Sequence, residues 1–207
     1  MKILRGLALA AAALLSTAAG ARADITLNFD DGELARDTTV DGLTFQGFTF
    51  DFAGPNPGDA FYNSAIFRPT SAESLNLRGG VLEGDSAGIL TIDFARPTDI
   101  LEFDVLLSVL DTVDPGFTVT LFDASLNSLG TTSLAVTPLV TDGFAEARFV
   151  LAAGPAVGRV VIDFDNNAGR FALDNLRAVP EPGGLILLGL GLSALAGWRL
   201  RRRLQVA

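Results

Sequence analysis

Through the middle of the chain, apolar side chains recur at every second position. Leu90, Ile92 and Phe94 alternate with Thr91 and Asp93 in ILTIDF, and Leu101, Phe103, Val105 and Leu107 alternate with Glu102 and Asp104 in DILEFDVLL. A period of two belongs to a half-buried strand, whose successive side chains point to opposite faces. The pattern returns in FTVTLF (Phe117, Val119, Leu121), FAEARFVL (Ala145, Ala147, Phe149, Leu151) and RVVIDF (Val160, Ile162, Phe164). Shorter stretches of the same kind are ITLNF at 25–29, IFRP around Phe67 and FALDNLRA at 171–178. In LTFQGFTFDF the phase changes at Gly47, and a tight turn or bulge there predicts that Leu43, Phe45, Phe48, Phe50 and Phe52 share one face.

Turn signals separate these runs: GPNPGD at 54–59, RGG at 78–80, ARPTD at 95–99, DPG at 114–116, TDG at 141–143 and AAGP at 152–155. About nine or ten short strands with no amphipathic helix predict an all-β body, an antiparallel jelly-roll-like β-sandwich over residues 24–178, with a closed barrel as the structural alternative. All 15 phenylalanines fall between Phe29 and Phe171. Fully burying each stabilises a fold by about 1.5 to 3 kcal/mol, so a core without disulfides is within reach.

The two ends follow other rules. Lys2 and Arg5, an apolar centre from Leu7 to Leu15, and Ala21-Arg22-Ala23 before Asp24 have the three-part order of a secretory signal peptide over residues 1–23, cleaved between Ala23 and Asp24. At the other end, the 16 residues from Gly183 to Trp198 carry no charge. As a helix they reach about 24 Å, short of the ~30 Å hydrocarbon core. Arg199, Arg201, Arg202 and Arg203 follow, a stop-transfer cluster that stays cytoplasmic with Trp198 at the interface. This reads as a short transmembrane helix, with the body outside and the tail inside.

Composition narrows the chemistry. With no cysteine and no histidine, a thiolate metal site, a cysteine nucleophile, a lipid-modified cysteine, a Ser-His-Asp triad and a histidine zinc site are all excluded. The 24 acidic residues all lie between Asp24 and Glu181, where only eight arginines and no lysine oppose them, a balance of −16. Such a field repels phosphate backbones, so nucleic acid is not an expected partner, whereas divalent cations and neutral sugars are compatible with it.

VPEP at Val179, Pro180, Glu181 and Pro182, then a short apolar helix, then an arginine cluster, resembles the PEP-CTERM sorting signal of exopolysaccharide-producing Gram-negative bacteria, here over residues 179–207. The resemblance implies an exosortase as partner, a membrane-embedded cysteine protease-transpeptidase that cleaves near the motif. It implies export through the Sec route, a transient inner-membrane intermediate and delivery to the cell surface or extracellular matrix. The body resembles the β-sandwich ectodomains found with such signals, in which a closing strand of the form xxxDNLxxxPEP, here FALDNLRAVPEP, leads straight into the motif. Pro180 and Pro182 hold the motif extended, which presents Glu181 to be read.

Asp30 and Asp31 after the first strand, and Asp174 in the last, are candidates for a structural Ca²⁺ site joining neighbouring terminal strands, because calcium takes six to eight oxygen ligands. DFDNN at 163–167 offers more oxygens but reads first as a hairpin turn. Tyr62 in AFYNS is the candidate sugar-stacking ring. No acidic pair is flanked by the aromatic residues a glycosidase cleft needs, in a chain with one Trp and one Tyr, so no enzymatic activity is expected. The sequence therefore predicts a non-catalytic, biofilm-associated envelope or matrix protein that binds exopolysaccharide. The alternatives are a secreted carbohydrate-active enzyme and a permanently anchored periplasmic protein.

Overall fold

A computed structural model describes residues 24–180 apart from 31–32, 57, 68–76, 78, 140–142 and 153, with the side chains of 64–67 also left aside. Eleven strands are present: β1 (Ile25–Leu27), β2 (Leu43–Phe45), β3 (Phe48–Ala53), β4 (Ala60–Phe67), β5 (Gly79–Asp85), β6 (Ile89–Leu107), β7 (Val113–Phe122), β8 (Ser128–Pro138), β9 (Ala145–Leu151), β10 (Val157–Phe164) and β11 (Arg170–Pro180). Among the described residues there is no helix, and the fold is an all-β sandwich. The leader residues Ala21 and Ala23, the motif residues Glu181 and Pro182, and the segment holding Trp198, Arg199, Arg201, Arg202 and Arg203 lie outside the described residues.

The long strand β6 organises the sandwich. Its first half pairs with β3 on one side (Phe50↔Ile92) and β10 on the other (Val160↔Ile92). Its second half pairs with β9 (Phe103↔Phe149) and β11 (Leu173↔Val105). One layer therefore runs β2, β3, β6, β10, β7, β8 and the other runs β9, β6, β11, β5, β4, with β1 beside the far end of β11. The last two residues of β8 pair with β9, which joins the layers a second time.

The alternating pattern points inward as expected. Phe50, Ile92, Leu101, Phe103, Val119 and Ile162 are fully buried in one continuous core. Ring contacts fix its geometry: Phe164 stacks on Phe171 with centroids 4.0 Å apart, and Phe103 on Phe149 at 4.9 Å. The turn at Gly47 is also as expected. Gln46 and Gly47 both take positive φ (48° and 88°), the two-residue hairpin turn that matches strand twist, and Leu43↔Phe50 with Phe45↔Phe48 place all five side chains on one face.

Three expected turns are something else. ARPTD does not end a strand: β6 continues through it, because here the chain leaves its first pair of partners for its second, and Pro97 sits where no ladder donor is needed. DPG lies inside β7, in a bulge between Val113 and Phe117. DFDNN does turn, with Ala168 N–H donating to the Asp165 carbonyl (3.0 Å), but β10 and β11 pair with different halves of β6 and not with each other, so it crosses between layers and forms no hairpin. The period-two reading passes over β5 and β8. β8 carries exposed Thr131, Thr132 and Ser133 in succession, and β5 is buried on both sides at Val81 and Leu82. Outside the main core, Leu77, Val81, Leu106 and Ala172 form a second small buried cluster, which explains apolar residues at the outward positions Leu106 and Ala172.

Candidate functional site

The outer surface of the second layer carries a polar cleft of about 290 Å³. Thr26 of β1, Glu102 and Asp104 of β6, Arg148 of β9, and Asn175 and Arg177 of β11 line it. Alternation puts Glu102 and Asp104 outward while Leu101, Phe103 and Val105 fill the core, and the register brings the arginines opposite: Arg148 faces Asp104 and Arg177 faces Glu102.

Asn175 reaches the cleft through a bulge. The β11–β6 register shifts between Asp174 and Arg177, and Asn175 takes φ +53°, a left-handed conformation that asparagine tolerates better than most residues. Asp174 Oδ1 accepts from the Asn175 backbone N–H at 2.7 Å, which supports the kink. The Asn175 amide Nδ2 then donates to Asp104 Oδ2 at 2.9 Å.

Asp104 is thus held from two strands. Arg148 donates through Nε to Oδ1 (2.7 Å) and through Nη2 to Oδ2 (2.9 Å), a bidentate fork. The Asp104 side chain is 1% exposed and that of Arg148 is 48% exposed, so a buried carboxylate is neutralised by a guanidinium that still faces water. Arg177 bridges two acids, with Nε on Asp24 (2.9 Å) and Nη1 on Glu102 (2.9 Å). The hydrogen bond that Arg148 donates to Asp104 raises its guanidinium above its usual value, burial opposing it, and the hydrogen bond that Arg177 donates to Asp24 does the same there. The cleft is a patch of alternating fixed charge in an acidic protein.

Of the calcium candidates, Asp30 accepts from the Gly80 backbone N–H at 2.7 Å, and its carboxylate occupies the space a Cβ would need on Gly79, so residue 79 has to be glycine. Asp174 is spent on the bulge, and Asp31 lies outside the described residues. The first and last strands are neighbours, as expected for such a clip (Leu27↔Leu176), but among the described residues no three acidic side chains gather as a metal site. Tyr62 is no sugar platform: it is 3% exposed, and its hydroxyl donates to the Phe29 carbonyl at 2.9 Å inside the core. Asp24, expected as the first residue after leader cleavage, carries the carboxylate bound to Arg177. Val179 and Pro180 belong to β11, which runs two residues past the expected end of the body at residue 178.

The cleft had a faint sequence signal, an acid or arginine at the outward phase of three separate strands. Which acid meets which arginine depends on strand order, which periodicity does not contain. Asn175 had no signal beyond the Asp-Asn pair that favours kinked backbone.

Comparison with known families decides the end of the chain. Residues 178–203 match the model of the PEP-CTERM protein-sorting motif. The chain carries a PEP-CTERM sorting domain. A PEP-CTERM motif marks an exported, sorted protein, and here its match begins inside β11. No curated protein matches the sequence at a significant level. Among solved structures, the chain is similar to the enzymatically active domain of bacteriophage CBA120 tailspike protein 4 (11% identity, TM-score 0.38, 74% of this chain and 21% of that one). It is also similar to the K1 cleaved adhesin domain of Lys-gingipain from Porphyromonas gingivalis W83 (13%, 0.43, 76% and 98%). A third is a family 29 carbohydrate-binding module, the D114A mutant of CBM29-2 (11%, 0.36, 75% and 89%). Likeness at that level carries no argument about activity.

Proposed function

We propose that this PEP-CTERM protein is the cargo of an exosortase: an exported sandwich held briefly at the inner membrane of a Gram-negative cell, processed near Val179–Pro182, and released to the cell surface or biofilm matrix. There it acts without catalysis, by contact with exopolysaccharide. The observation that carries the reading is the direct continuation of β11 into the sorting motif, which makes the sandwich itself the sorted object.

The cleft suits the second half of the proposal. Guanidinium, carboxylate and carboxamide groups on rigid strands are complementary to sugar hydroxyls, and about 290 Å³ is near the lower end of volumes that hold small ligands. Its two arginines are each engaged by carboxylates, and the body around it is strongly acidic, so neutral polysaccharide fits better than polyanion. Binding by one shallow cleft is weak, and many copies along one polymer supply avidity.

Intact-mass analysis of the mature protein from its native envelope tests the sorting. A new C-terminus near Pro182 is expected, and a chain ending at Ala207 in the membrane fraction overturns it. For the ligand, the processed protein is titrated with the purified exopolysaccharide of the same cells. Saturable binding that is lost in Arg177→Ala is expected, and equal binding by wild type and variant removes the cleft from the reading.

A further inference from the structure

The motif and the fold overlap. The family match starts at Ala178, yet Ala178 and Val179 are 3% and 4% exposed, packed into the sheet they are expected to leave. Ala178 pairs with Leu101 of β6 on one side and with Ile25 of β1 on the other, and Val179 pairs with Ile100. The next residue is Pro180, paired with Thr98, and a proline has no N–H with which to close a ladder. A side chain takes over at that point. Thr98 is fully buried at the corner of β6, and its hydroxyl proton is shared between two carbonyls, that of Ile100 in its own strand (2.5 Å) and that of Val179 across the ladder (2.7 Å).

We propose that Thr98 is a latch: the folded sandwich withholds Val179 and Pro180 from the sorting enzyme, which gains the full motif only when the last three residues of β11 open from β6. The inference rests on the sorting reading above. An enzyme that binds a proline-flanked peptide extended competes with β6 for the same stretch of backbone, so its rate follows the population of the opened strand end. Leader removal bears on the same latch, because β1 begins one residue after Asp24 and covers Ala178.

Two full-length variants test it in cells that process the wild type, by pulse-chase of the C-terminal cleavage. Thr98→Val keeps the shape and removes the hydroxyl. An insertion of Gly-Ser-Gly-Ser between Ala178 and Val179 leaves the motif intact and frees it from β6. Thr98→Val is expected to be processed about five- to tenfold faster, the effect of losing one buried hydrogen bond on an opening equilibrium, and the insertion at least as fast. A wild-type or slower rate for the insertion overturns the latch, whatever Thr98→Val does. Elastase, which cuts after small aliphatic residues, gives a reading independent of the sorting enzyme. Applied to the unprocessed proteins in detergent, it should cut at Ala178–Val179 slowly in wild type and about tenfold faster in Thr98→Val. If no new C-terminus appears even in wild type, the sorting reading fails while elastase still decides the latch, and equal elastase rates sink it.

Discussion

The two halves of β6 each offer an aspartate to an arginine on the next strand, with nearly the same geometry. Asp93 takes a fork from Arg159 of β10 at 2.6 and 2.9 Å, and Asp104 takes one from Arg148 of β9 at 2.7 and 2.9 Å. The Asp93 side chain is 40% exposed, whereas that of Asp104 is 1% exposed and has Asn175 as a third partner. One pair decorates a surface and the other is built into a cleft. The difference comes from β11, whose bulge brings an amide over Asp104, while among the described residues nothing equivalent crosses Asp93. Distance alone does not separate a structural ion pair from an ornamental one; burial and the number of partners do.

That contrast can be tested in descending order of effect. Arg148→Ala leaves the buried Asp104 carboxylate without its counter-charge and should cost about 3 kcal/mol in urea unfolding, at the low end for broken buried pairs because half of the arginine already faces water. The double variant Asp104→Ala/Arg148→Ala should recover part of that loss. Asn175→Ala removes the amide from Asp104 and strains a left-handed backbone, for about 2 kcal/mol, and Asn175→Gly, which relieves the strain, should cost about 1 kcal/mol. Asp93→Ala should cost less than about 1 kcal/mol and lose most of that in high salt. A result in which Asp93→Ala and Arg148→Ala are equal would erase the distinction between the two halves.

The smallest effect lies at the turn between β7 and β8, one residue past Phe122, the strand partner of Arg159. Asp123 accepts from the backbone N–H groups of Ser125 and Asn127 and from the Asn127 amide, all at 2.8 Å, and the Asn127 amide does most to pull its carboxyl below the usual 3.8. The unfolded chain therefore takes up this proton first as pH falls. The turn's contribution is complete above the unfolded value and disappears as pH drops through the lower folded one. Asp123→Asn should thus show a slightly shallower fall in Tm between pH 5 and pH 2 than wild type.

The inward half of the molecule was legible in the sequence because burial writes itself into alternation. Leu101, Phe103, Val105 and Leu107 are inward as the pattern requires, and the phase change at Gly47 is a hairpin turn. The outward half was less legible. Charged residues at outward phases look alike whether they are solvated or paired, and Asp104 becomes distinct from Asp93 only once β9 and β11 are known to flank it. Pro97 misled for a related reason: proline marks a break in a ladder, and the ladder does break there, but the strand passes on to new partners. The calcium candidates Asp30 and Asp174 were chosen on the adjacency of β1 and β11, which holds, yet each carboxylate is committed to a backbone N–H of its own.

The placement of β11 has a mechanical consequence. It lies between β6 on one side and β5 and β1 on the other, and the sorting motif follows it in the chain. A pull applied to its end along the strand would load the flanking hydrogen bonds in shear, all at once, and would not unzip them one by one. Held by ladders on both sides, β11 is well placed to bear such tension.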